Sequence, residues 1–196
     1  MHLSTYGRFL LSPEEYAALA LRVCLEVGDV LHVSIQDWMC EPFVLAKTGL
    51  TLREHQARTI DSYCELSYLQ PGLPWVPVLQ GMDPEDYLRH FDDYARAGID
   101  LTRFPLVGVG SVCKRNRAKE IRELFVKLHE LGLRLHGFGV KADGLASARG
   151  VLASADSMAW SRRGRFAGGR DSNGYLLANS QEWAEHRRGA LAALAA

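Results

Sequence analysis

The sequence lacks several things that would have narrowed its function at once. Its longest apolar runs are far too short to span a bilayer. The opening MHLSTYGRF has none of the basic-then-apolar layout of a secretory signal. Together these point to the cytosol and to no membrane partner. Four cysteines, Cys24, Cys40, Cys64 and Cys113, lie far apart with no CxxC and no close Cys/His grouping. Neither a disulfide framework nor a zinc site is expected from that spacing. The glycine pair at 107–110 (VGVG) lacks the G-x-G-x-x-G layout, which excludes the usual dinucleotide site. No metal or organic cofactor is expected. Net charge is absent too, but the zero conceals a split. Residues 1–100 carry 7 Lys and Arg against 15 Asp and Glu, and residues 101–196 carry 16 against 8. Either the basic half meets a polyanion, or the halves neutralise each other across the fold or between subunits.

What is present fits one domain over residues 1–196, with 47% hydrophobic and 23% charged residues, as in ordinary soluble globular proteins. Ser12-Pro13-Glu14-Glu15 and Thr51 with Glu54 are helix starts of the capping-box kind. The first opens a helix ended by Gly28, with Tyr16, Leu19, Ala20, Val23, Cys24 and Val27 at helical spacing. The second opens a helix to about residue 67 with Ala57, Ile60, Tyr63 and Cys64 as its expected inner face. Asp83-Pro84 starts a third, carrying Tyr87, Phe91, Tyr94 and Ala95. Ile121, Leu124, Phe125, Leu128 and Leu131 mark a fourth, and a short helix is expected near 145–149. Between them, apolar runs predict strands at 31–36, 75–80, 105–110, 133–140 and 155–160. Alternating strands and helices predict an α/β chain with a parallel sheet of about five strands. That is too few for a standard eight-stranded barrel, so the choice lies between an open sheet and a partial (β/α) TIM-type barrel. Residues 162–174 read as a flexible basic loop and 181–195 as a terminal helix.

In such folds chemistry gathers just past the carboxyl ends of the strands. The first strand runs into Asp37, Trp38, Met39, Cys40 and Glu41. The two acids either bind a ligand or face solvent, and the flat apolar neighbours favour a pocket for a planar group. Gln80-Gly81 offers an amide that both donates and accepts, or simply a turn. Gly108 and Gly110 permit close backbone approach. His136 brings an imidazole to the fourth strand. Asp156, on an otherwise apolar strand, is costly to bury without a role. Lys114, Arg115 and Arg117, with Arg162, Arg163, Arg165 and Arg170, follow strand ends and either contact phosphates or form solvated loops.

Taken in order, QDWMCEP, PWVPVLQG, PLVGVGSVC, LHGFGV and ADSMAWS resemble the tRNA-guanine transglycosylase superfamily, nearest its DpdA-like branch that places 7-deazapurines in DNA. The likeness runs from about Tyr6 to Arg165. It implies a TIM-type barrel in which guanine leaves its sugar, an aspartate holds the sugar covalently, and a 7-deazaguanine such as preQ0 takes its place. By position, Asp37 resembles the base-recognising aspartate and Gln80 the glutamine that reads the base. Gly108 or Gly110 resembles the glycine over the base, and His136 stands where a side chain lies against its plane; Trp38 would add stacking. Asp156 is the candidate nucleophile, although the family's D-x-F-D pattern puts its second aspartate at Ala159 here. The strand ending Asp-Ser-Gly-Gly-Phe, with an essential acid/base aspartate, has no counterpart from Met1 onward, which leaves Glu41 as a stand-in. The missing Cys/His zinc site fits the DNA branch rather than tRNA modification. Two other readings stay open. One is a non-catalytic subunit whose barrel is completed by a partner chain or a second copy. The other is an unrelated small-molecule enzyme on the same scaffold.

Overall fold

The computed structural model describes residues 2–112, 118–140, 148 and 150–156. The expected helix 145–149, the basic residues Lys114, Arg115, Arg117, Arg162, Arg163, Arg165 and Arg170, the loop 162–174 and the helix 181–195 fall outside them.

A short helix α1 (His2–Tyr6) precedes α2 (Pro13–Val27). Ser12 caps α2 as its sequence predicts: its hydroxyl accepts from the Glu15 N–H at 3.2 Å and Glu15 reaches back to the Ser12 N–H at 2.8 Å. Strand β1 (Val33–Ser34) follows, then α3 (Pro42–Thr48), which the apolar pattern does not announce. Next come α4 (Leu52–Leu69), β2 (Trp75–Val76), β3 (Val78–Leu79) and α5 (Pro84–Arg96). A 3-10 turn at Leu101–Arg103 leads to β4 (Val107–Val109), α6 (Ala118–Glu130), β5 (Leu135–Gly137) and β6 (Leu152–Ala155). The strand expected at 75–80 is divided because Pro77 has no N–H to give a ladder. Its carbonyl still accepts from the Gly108 N–H at 2.9 Å. β6 begins three residues earlier than its apolar run suggests. Asp156 therefore stands just past a strand end, exposed, rather than buried on a strand.

All strand pairings are parallel, as the alternation of strands and helices predicts. The ladders run β1-β2 and β3-β4-β5-β6, and among the described residues they do not close. The chain is thus a parallel α/β fold whose barrel closure is not seen. Leu79, Val107, Val109 and Leu135 project from one face of the sheet into a core with Tyr87 and Tyr94 of α5 and Leu124, Phe125 and Leu128 of α6. Burial of each such side chain stabilises the fold by roughly 1.5–3 kcal/mol. Because strand side chains alternate, the opposite face presents one row, Val78, Gly108, His136 and Ser154, in direct register. A second core joins Ala17 and Ala20 of α2, Ile35, Leu66 of α4, Trp75 and Val78.

One expected face is corrected. On α4 the buried residues are His55, Gln56, Thr59, Ile60 and Leu66, while Ala57 and Cys64 are exposed. Apolar spacing misplaces this helix because half of its inner side is polar.

Candidate functional site

Those polar residues of α4 hold the loops that leave the sheet at its carboxyl end. Thr59 Oγ1 accepts the Trp38 N–H at 3.0 Å. His55 Nδ1 lies 2.7 Å from the Met39 carbonyl, which can only accept, so that nitrogen carries the proton. Nε2 then faces the Thr48 hydroxyl at 2.8 Å. Burial holds the His55 pKa below its usual value, consistent with this neutral ring. Gln56 Nε2 donates to the Gln80 carbonyl at 2.8 Å. From α5, His90 Nδ1 accepts the Gln80 N–H at 3.0 Å while Nε2 donates to the Gln56 carbonyl at 3.1 Å. Burial pushes the His90 pKa down to about 4, so it too is neutral. Tyr87 Oη donates to the Gly110 carbonyl at 2.8 Å.

The loops so held bring Asp37, Gln80 and Glu41 together. Gln80 Nε2 donates to Asp37 Oδ2. Ser111 Oγ, on the far side of the same amide, lies 2.6 Å from Gln80 Oε1 and 2.9 Å from Glu41 Oε2, and accepts the Cys40 N–H at 2.9 Å. Gln80 is fully buried and Glu41 is 4% exposed. Gly110 is required beneath Gln80, since a Cβ there would lie 2.7 Å from Gln80 Cδ. Burial raises the Asp37 pKa to about 6; the charge of Glu41 adds to the rise, and the bond from Gln80 works against it. The Cys40 thiol is pushed up by its burial and by Glu41, Asp86 and Asp37, which keeps it a thiol and no nucleophile.

Gly108, His136 and Asp156 form a second grouping, joined through Phe138. The Phe138 ring covers Gly108, where a Cβ would meet its Cε2 at 2.5 Å. It also stands edge-on to His136 with centroids 4.7 Å apart. His136 Nδ1 lies 2.8 Å from Ser154 Oγ, and burial lowers its pKa against the opposing charge of Asp156. Asp156 Oδ1 accepts the Gly139 N–H at 2.5 Å. Two residues along from the Val78–Ser154 row, the strand ends run Gln80, Gly110, Phe138, Asp156. Three inter-strand steps thus separate Gln80 from Asp156, ~14 Å along the sheet.

Trp38 is not an open platform. Phe9 and His55 stand edge-on to it at 5.5 and 5.3 Å, and the Arg58 guanidinium lies 4.7 Å from its centroid. These contacts pack the 37–41 loop against α4 and Phe9. Ser111, Phe138, His55, Gln56 and His90 are participants that residue patterns did not single out. For α4 a signal existed: His55, Gln56 and Thr59 share one helical face between a capping box and Ile60.

A cavity of about 310 Å³ opens elsewhere, at the amino ends of the strands, lined among others by His32, Tyr63, Trp75, Phe104 and Leu106. Its lining includes no carboxylate. Among the described residues no three His, Cys, Asp or Glu side chains group to hold a metal ion, and no helix is long and apolar enough to cross a membrane.

A partly buried acceptor, Asp37, and a fully buried donor, Gln80, thus stand side by side, with a further carboxylate, Asp156, along the same row of strand ends. Residues 1–191 match the sequence model of the family described as DpdA, DeoxyPurine in DNA protein A. The chain belongs to the DpdA family. No curated protein and no solved structure matches it. The family match spans every residue of both groupings.

Proposed function

We propose that this chain exchanges guanine in DNA for a 7-deazaguanine such as preQ0, on a scaffold of TIM-type barrel kind. The observation that carries the reading is the Asp37–Gln80 pair: a partly buried carboxylate that accepts beside a fully buried amide that donates. That pair complements the N–H and C=O edge of a 6-oxopurine. The target base would be unstacked from DNA to reach it, with His136 and the Phe138 ring that covers Gly108 beside it. Asp156 then attacks the sugar C1′. The bond from C1′ to guanine N9 breaks, its electron pair leaves with guanine, and guanine takes up one proton. In the second half the incoming base loses one proton from N9, its nitrogen displaces Asp156 from C1′, and the carboxylate is restored. No net proton and no redox partner is consumed. Glu41 is the second carboxylate available to hold that proton between the halves. Lys114, Arg115 and Arg117 follow β4 in sequence, and Arg162, Arg163 and Arg165 follow β6. We assign them to the phosphates of DNA.

Calorimetric titration of the full chain with guanine and preQ0 tests the pocket, and labelled guanine offered with DNA or tRNA tests the reaction. Micromolar binding with label entering DNA alone is the expected result; no heat from folded protein would refute the reading. Gly110→Ala drives a methyl into the buried Gln80 amide and should weaken base binding by tenfold or more, with a stability loss of roughly 1–3 kcal/mol from the overpacking. Binding within twofold of the unsubstituted chain would mean Gln80 does not read the base.

A second reading has its own support. No strand pairs with the outer edge of β1 among the described residues, and Leu19, Val23 and Val27 of α2 are exposed nearby in sequence. A second copy or partner chain covering that edge would make this a subunit of a larger enzyme. Light scattering showing only monomer at working concentration, with full exchange activity, would dispose of it.

A further inference from the structure

Ser111 is the only non-glycine residue with positive φ among the described residues, at 58°, and it is 6% exposed. A side chain in left-handed backbone costs on the order of 1–2 kcal/mol, and glycine at the same place costs nothing. Something must be gained from the hydroxyl to keep serine there. What it touches shows the gain. One oxygen makes three contacts on two segments of chain: the Cys40 N–H at 2.9 Å and Glu41 Oε2 at 2.9 Å on one, and Gln80 Oε1 at 2.6 Å on the other.

A hydroxyl has one proton and can donate it to one acceptor at a time. Given to Gln80 Oε1, the shorter of the two contacts, it fixes the amide with its oxygen toward Ser111 and its nitrogen toward Asp37. One proton of Nε2 then goes to Asp37 and the other remains to meet a ligand acceptor. Turned over, the amide would present an acceptor to the ligand and set its oxygen against the Asp37 carboxylate. The orientation of Gln80 therefore decides whether the site reads a 6-oxo or a 6-amino base. Gly110 leaves room for the amide to lie there, since a Cβ would stand 2.7 Å from Gln80 Cδ.

We propose that Ser111 is a positioning residue that sets which end of the Gln80 amide faces the base, and so makes the site selective for 6-oxopurines over 6-aminopurines. It acts through Gln80 and touches no reacting atom. The inference rests on the base-exchange reading but makes a separate claim about selectivity.

Two variants separate hydroxyl from backbone. Ser111→Gly relieves the strained φ and removes the hydroxyl; Ser111→Ala removes the hydroxyl and keeps the strain. Each full-length variant is titrated with guanine and with 2,6-diaminopurine, and its thermal unfolding is recorded. In the unsubstituted chain guanine should bind at least a hundredfold tighter than diaminopurine. Both variants should lose about tenfold in guanine affinity and narrow that ratio to tenfold or less. The glycine variant, free of the strained φ, should unfold at a higher temperature than the alanine variant. A purely structural role for the residue predicts the opposite: glycine would behave as serine does in both binding and selectivity. That result would overturn the proposal while leaving the base-exchange reading intact. Absence of guanine binding by the unsubstituted, folded chain would instead remove both together. Should glycine at 111 fail to fold, the alanine variant carries the same comparison, and an unchanged ratio there would equally overturn the proposal.

Discussion

Replacing Asp37 by asparagine should abolish guanine binding and, at pH 7.5, make the folded protein more stable. The two effects come from one cause. Enclosing this carboxyl raises its pKa from 3.8 to about 6, so between those values the folded chain keeps a proton that the unfolded chain has released. The unfolded state binds fewer protons there, and stability falls as pH rises from about 4 to about 6, remaining lower above. The lost stability is roughly 3 kcal/mol at most. Asparagine has no proton to lose, and its Oδ1 still accepts from Gln80 Nε2, so at neutral pH that cost disappears. Urea unfolding at pH 7.5 and at pH 4 checks it: the variant should gain at 7.5 and show no gain at 4. Guanine affinity of the unsubstituted chain should likewise climb from pH 5 to pH 7 as Asp37 ionises. A variant that is less stable at pH 7.5, or that binds guanine unchanged, would contradict this account of the site.

Asp156→Asn should cut base exchange into DNA by about a thousandfold or more, as loss of a covalent nucleophile does. Guanine affinity should change by less than threefold, because Asp156 lies three strand steps from the Asp37–Gln80 pair. The fold should tolerate the change: Asp156 is exposed and its Oδ1, which accepts from the Gly139 N–H, survives in the amide. With DNA present and no incoming base, the unsubstituted chain should yield a protein–DNA adduct on a denaturing gel, and the variant none. Activity within tenfold, or an adduct formed by the variant, would move the nucleophile elsewhere.

Much of this site was legible in the chain itself. The capping boxes at Ser12 and Thr51 placed two helices to within two residues, because a cap is a local interaction written in local sequence. The parallel order of strands followed from their alternation with helices, and Asp37 and Gln80 drew notice because strand ends are where such folds do chemistry. The misses have physical reasons. Hydrophobic spacing could not find the inner face of α4, since His55, Gln56 and Thr59 are buried to hold loops rather than to fill a core. Pro77 reads as part of a strand, yet without an N–H it splits one. The run at 155–160 drew the last strand too late, because β6 pairs through Leu152–Ala155 beside β5. Ser111 was invisible for a different reason: left-handed backbone is ordinarily announced by glycine, and here the hydroxyl took precedence over the easy conformation.

The attachment of both base-edge loops to α4 has a consequence for how such a pocket can change. β1 pairs with β2 only at Val33–Trp75 and Ser34–Val76, so no strand pairing reaches as far as Asp37 and Gln80 themselves. One helix does, through Thr59 and His55 on one loop and Gln56 on the other. A small rotation of that helix would widen or narrow the gap between acceptor and donor without altering any residue that meets the ligand. Drift in ligand preference could then accumulate on the back of the sheet, where a comparison restricted to pocket-lining positions would not look for it.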